Sequence, residues 1–182
     1  MHPLESLPGG TKLPLFIWLL VTTFWLSLIF RFIGPYSPNI VDFEFCRTVD
    51  KANAIINAWN PVARIQAAFN LGFDFLYIPI YSTTIALACV WAANKLGGNR
   101  IWHNMGMLFA WGLWVAAILD IVENYALLTI LQGRVADPYP ALATMCATVK
   151  FSLILLGLAF CVMVAVIRII KAARPPLKTD TR

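Results

Sequence analysis

The sequence predicts an all-α integral membrane protein: a four-transmembrane-helix bundle with an interfacial amphipathic helix between helices 1 and 2. Three observations predict it. The composition is 60% hydrophobic and 13% charged over 182 residues, with a mean hydropathy of +0.73, far more apolar than a soluble core requires. Four apolar runs are each long enough to cross a hydrocarbon layer of about 30 Å. Helix punctuation falls at the edges of those runs, with capping residues or prolines at starts and glycines at a stop. A chain of this length holds one domain, residues 1–182, with little left over for a soluble unit.

The first span covers about 13–32, LPLFIWLLVTTFWLSLIFRF. It is too apolar and too long for a secretion signal, and RFIGPYSPN after it offers no small-residue cleavage site, so it is expected to be retained. The second covers about 61–96, with Asn60 as N-cap, Pro61 at the first helical position and Gly97 and Gly98 as the stop. Its length exceeds the hydrocarbon thickness, so it should tilt or protrude, and Pro79 should kink it. The third covers about 102–131 and the fourth about 139–170, the latter opened by Asp137 and Pro138. The loops KLGGNR and GRVADPYP are short, which makes the helices they join antiparallel neighbours. The long connection lies between spans one and two. There Phe45, Val49, Ala52, Ile56 and Trp59 recur at helical spacing and predict one amphipathic helix over 42–59.

Basic residues near the span ends set the orientation. Lys12, Lys95, Arg100, Arg168, Lys171, Arg174 and Lys178 fall on one side. Arg31, Arg47, Lys51, Arg64 and Arg134 fall on the other, diluted by Asp42, Glu44, Asp50 and Asp137. Both termini are therefore expected on the cytoplasmic side, with 172–182 as a basic tail that acts as a topology signal. The net charge of +5 needs no nucleic acid to explain it. Few cysteines and compact loops fit a bacterial inner membrane.

Against this apolar background stand Asp74, then Asp120 with Glu123 and Asn124, then Lys150. A charge in hydrocarbon costs several kcal/mol on insertion scales, of order 3, so such residues face inward and point to a site. Asp74 lies 21 residues before Lys95, Lys150 lies 18 before Arg168, and Asp120 lies 18 after Trp102. At about 1.5 Å per residue all three sit about 27–32 Å from the cytoplasmic interface. Helical spacing puts Asn70, Asp74, Tyr77 and Tyr81 on one stripe with Ala67 and Ala88. Asp120, Glu123 and Asn124 share a face with Ala116, Ala117 and Gly106, while Lys150 is flanked by Ala143, Cys146, Ala147 and Gly157. Small residues mark the faces where membrane helices pack closely. The charges therefore point into the bundle.

Arg64, at the start of its helix on the same side, is expected to fold inward as a second cation. With Lys150 and Arg64 each pairing one carboxylate, one acid is left as the proton-binding candidate. Glu123 or Asp120 fits best, because they share a turn and repel each other. The ligand or proton site is thus expected from Asp74, Asp120, Glu123, Asn124, Lys150, Arg64, Asn70 and Tyr77. Fixing helix register would not require several desolvated charges of unequal sign, which favours function over structural glue.

Other residues offer less. His103 reads as an interfacial polar residue and His2 as terminal, so no haem or zinc motif is built from them. A hard-cation site on the carboxylates meets competition from Lys150. Cys46, Cys89, Cys146 and Cys161 form no C-x-x-C, although Cys46 and Cys146 both fall toward the outer side, where they could pair. No nucleotide loop, nucleophile elbow or H-E-x-x-H is present. The function expected is binding or transport of a small polar ligand, ion, proton or lipid headgroup. Two alternatives stay open: an accessory subunit of a larger membrane complex, and a lipid-modifying enzyme lacking a recognisable nucleophile. The expected partners are membrane lipids and a partner membrane protein or a second copy.

Overall fold

Among the described residues, six α-helices follow a short 3-10 turn at Pro3–Glu5: α1 Gly9–Ile33, α2 Ile40–Glu44, α3 Val49–Ala58, α4 Pro61–Lys95, α5 Arg100–Leu131 and α6 Tyr139–Ala173. The computed structural model describes residues 2–33, 39–96 and 100–173. Among these residues the chain is all-helical, and four helices, α1, α4, α5 and α6, are long and apolar enough to cross a membrane. The Gly97–Gly98 stop and most of the basic tail over 172–182 lie outside the described residues.

Local chemistry explains the boundaries. Asn60 Oδ1 accepts from the Ala63 N–H at 2.8 Å, and Pro61 follows at N1 where its missing N–H costs nothing. At 35 residues α4 is about 52 Å long, more than a hydrocarbon core is thick. Pro79 lies inside this helix without ending it.

The segment expected as one amphipathic helix is two. Between α2 and α3 the backbone of Arg47 takes the left-handed conformation, φ 60°, and Thr48 caps α3 by accepting from the Lys51 N–H. The break is stabilised from outside: Thr144 Oγ1 on α6 accepts from the Arg47 N–H at 3.0 Å and donates to the Glu44 carbonyl at 3.1 Å. The buried face differs accordingly. Ala52 and Ile56 are buried as the spacing predicts, but α2 and the joint bury Phe43, Glu44 and Cys46, while Phe45 and Val49 are only half-buried.

Helices α4, α5 and α6 pack against one another, and α1 packs almost wholly on α4. Only 6% of the most apolar window of α1 is buried, against 44% for α4, which makes α1 the peripheral helix. The close approach of α4 to α5 needs Gly106, where a Cβ would collide with the Ala93 Cβ and approach the Cys89 carbonyl. Gly157 does the same for α6, its Hα facing the Leu113 side chain. Two apolar clusters result. One gathers Leu87, Val90, Met107, Leu113 and Phe160 with Leu4 of the N-terminal turn, and the other gathers Phe43, Ile56, Leu71, Leu127 and Ile130 beneath α2 and α3. Between them lies a polar layer.

Candidate functional site: a charged cavity between the helices

The polar layer assembles from three helices. Lys150 on α6 places Nζ 2.6 Å from Asp120 Oδ1 and 2.9 Å from Glu123 Oε2, both on α5. The spacing of three residues puts those two carboxylates on one face, so one ammonium reaches both. All three side chains are buried, at 5% exposure or less. From α4, the Tyr81 hydroxyl donates to the other Asp120 oxygen at 2.7 Å. One turn away, the Asn124 amide donates to Asp74 Oδ2 at 2.7 Å. Charge-assisted bonds of this length are the strong ones.

These contacts bring together Asp74, Asp120, Glu123, Asn124 and Lys150. The level placement inferred by counting residues is matched by direct contact across α4, α5 and α6. Asn70 and Tyr77 line the same space, the Tyr77 hydroxyl lying 3.0 Å from Ser27 Oγ on α1.

Arg64 does not join them. Its guanidinium donates twice to the Ile56 carbonyl, at 3.2 and 2.8 Å, and borders a separate hollow with Leu128 and Gln132. The physical reason is local: the Ile56 carbonyl at the end of α3 accepts from the Trp59 N–H and keeps a second lone pair for the guanidinium, and a cation at a helix C-terminus also complements the dipole. The charge count changes with it. Lys150 alone serves Asp120 and Glu123 together, so the acids left without a cation are not those two but Asp74 and, unexpectedly, Glu44.

Glu44 ends α2 and is 9% exposed, and its Oε2 has no hydrogen-bond partner among the described residues. Burial pushes its carboxyl up to about 7, with Asp120 and Asp74 adding to the shift and the Lys150 ammonium opposing it. It was missed as a site residue because a helix spanning 42–59 places it among the solvated acids of a surface segment. The break at Arg47 turns it inward. Tyr81 was visible as part of the Asp74 stripe, but its bond to Asp120 needed the register between α4 and α5.

The cavity that these residues border has a volume of about 420 Å³. Its polar end is Glu44, Asn70, Asp74, Asp120, Asn124 and Lys150. On one flank stand Thr23 and Phe30 of α1, and on the other Phe151, Ile154 and Leu158 of α6, two helices that make almost no contact with each other. The side between α1 and α6, the cavity's side door, is thus closed by almost no helix–helix contact.

Elsewhere the cysteines are free: Cys46 and Cys146 are buried but unpaired, and the two sulfurs that approach are Cys89 and Cys161, at 3.6 Å. His2 is not a loose terminal residue. It is fully buried, its ring edge-on to Trp111 at 4.8 Å and tilted on Trp114 at 4.5 Å. His103 Nε2 lies 3.1 Å from Glu5, tying the N-terminal turn to α5.

No family model, no curated protein and no solved structure matches this chain. The site must be read from its own geometry.

Proposed function

We propose that the protein is a multi-pass membrane protein whose intramembrane cavity binds a small molecule with a polar head, in a four-helix bundle with both termini on the cytoplasmic side of a bacterial inner membrane. The observation that carries this reading is the 420 Å³ space bordered by Glu44, Asp74, Asp120 and Lys150 and flanked by α1 and α6, which make almost no contact with each other. A network serving only to fix helix register would close on itself without leaving such a space, since empty volume beside desolvated charge costs free energy on both counts. Volumes of this size fit a small ligand.

The basic residues support the topology. Arg168 reaches the Lys95 carbonyl at 3.5 Å, and Lys12 donates to the Glu5 carbonyl at 2.8 Å, with His103 on the same residue's carboxylate. They gather at the end away from α2 and α3, as the positive-inside rule requires of a cytoplasmic face.

Native mass spectrometry of full-length protein released from mild detergent tests the reading. Wild type should carry a bound small-molecule adduct, and Ile154→Trp, which fills the cavity from α6, should lose it while remaining extractable. No adduct in wild type, or an adduct undiminished by the filled cavity, would sink the proposal.

A further inference from the structure

The charge balance of the cavity wall selects the class of ligand; the inference rests on the reading that the cavity is a binding site. Among the described lining residues Lys150 is the sole cation. Its Nζ donates to Asp120 at 2.6 Å and lies 2.9 Å from Glu123 Oε2, so two carboxylates already share its charge. An anionic ligand would therefore find little to bind and would face an excess of carboxylates. Two of those have no cation within ion-pair distance among the described residues. Asp74 accepts only an amide N–H from Asn124, and Glu44 Oε2, nine-tenths buried, accepts nothing among the described residues.

An unpaired carboxylate at that depth is costly unless a proton or a cation meets it. A donor-rich cation entering the cavity would give Glu44 and Asp74 the partner that the fold withholds. The rest of the wall fits an apolar body. Phe30, Tyr77 and Tyr81 line it with aromatic rings, which attract cations and pack hydrocarbon equally well, while the Phe151 ring already faces the Lys150 ammonium 4.9 Å from its centroid. Ile154 and Leu158 extend the apolar flank along α6 toward the gap beside α1.

We propose that the cavity takes an amphipathic organic cation, a protonated amine on an apolar body, with its ammonium group at Glu44 and Asp74 and its body between α1 and α6. Such a molecule reaches the site from the bilayer through the side door, without crossing the polar layer. Its chemistry has two sources, the amine headgroup of a membrane lipid or a free hydrophobic amine.

Full-length protein in phosphatidylcholine nanodiscs, with empty discs as control, tests this by equilibrium dialysis at about pH 8. The probes share one skeleton and differ in head charge: phenethylammonium, 2-phenylethanol and phenylacetate. Phenethylammonium should bind saturably and about tenfold or more tighter than the alcohol, the worth of one charge-assisted hydrogen bond. Phenylacetate should match the empty discs. Glu44→Gln and Asp74→Asn should each weaken the ammonium by about tenfold and leave the alcohol unchanged, which also shows the cavity intact.

Equal binding of ammonium and alcohol, or tightest binding of phenylacetate, would overturn the cation assignment and leave the binding site standing. If no probe binds wild type above empty discs, the cavity reading falls with it. Lipid analysis of the extracted protein separates the sources: a retained aminophospholipid that phenethylammonium displaces supports the lipid, and its absence alongside probe binding supports a free amine. A retained anionic lipid in that place overturns the proposal.

Discussion

Replacing Lys150 with methionine removes the counter-charge of two buried carboxylates while keeping most of the side-chain volume. Asp120 would still accept from Tyr81 at 2.7 Å, so part of its charge stays compensated. Glu123 would not: it is 0% exposed, and Lys150 is its only close polar contact among the described residues. Breaking a buried pair on one side costs about 3–5 kcal/mol, most of it the desolvation penalty of the stranded charge. The loss should sit near the upper figure. Reversible unfolding in mixed micelles measures it. The triple variant Lys150→Met, Asp120→Asn, Glu123→Gln, which removes all three charges together, should recover stability to within about 1–2 kcal/mol of wild type. If Lys150→Met alone costs less than about 1 kcal/mol, the level of an exposed pair, the buried ion-pair network is refuted. A triple variant no better than the single would refute the stranded-charge account.

Glu44 gives a pH signature. Its carboxyl lies near 7 in the fold against 4.5 ordinarily, so ionising it works against folding. Wild type should lose of order 3 kcal/mol relative to Glu44→Gln as pH rises from about 4.5 to about 7, given Asp74, Asp120 and Lys150 as the charges that face it. Parallel stability curves for the two proteins would refute this. Thr144→Val strands the Arg47 N–H and the Glu44 carbonyl at the joint between α2 and α3, a loss of about 1–3 kcal/mol; hydrogen exchange at residues 44–48 should rise with it. Gly106→Val drives a branched side chain into Ala93 across the α4–α5 contact and should cost about 1–3 kcal/mol in the same micelle assay, whereas Gly72→Ala, which meets nothing within 4 Å, should be near neutral.

The long helices were legible because their signals are local: Asn60 and Pro61 start α4, and apolar runs of this length have few other outcomes. The core of the site was legible for a different reason. Polar groups on three apolar helices at one counted depth have few other partners: Lys150 of α6 meets Asp120 and Glu123 of α5, and Asn124 of α5 meets Asp74 of α4. What could not be read depends on contacts distant in sequence. The break that turns Glu44 inward is stabilised by Thr144, 100 residues away, and nothing around Cys46 or Arg47 announces it. Arg64 was misplaced because residue counting puts it at the correct height without revealing that the carbonyl of Ile56, eight residues before it, is nearer than any carboxylate among the described residues. His2 escaped notice because a terminal residue carries no pattern, and its burial comes from Trp111 and Trp114 on α5.

The two kinds of attachment in this fold divide the labour of the cavity. Helices α4, α5 and α6 are locked by close glycine contacts and by short charge-assisted bonds at the polar layer, so the acids keep their positions whether or not a ligand is present. α1 is held differently. Its polar ties to α4 are hydroxyl pairs, Thr23 with Thr84 and Ser27 with Tyr77, each at 3.0 Å. Hydrogen bonds of this sort inside a membrane average about 0.6 kcal/mol, and most of the apolar surface of α1 faces outward, where lipid replaces a protein neighbour at little cost. The proposed entry from the side fits this arrangement: acids held in place by α4, α5 and α6 on one side, and on the other a helix with almost no contact to α6.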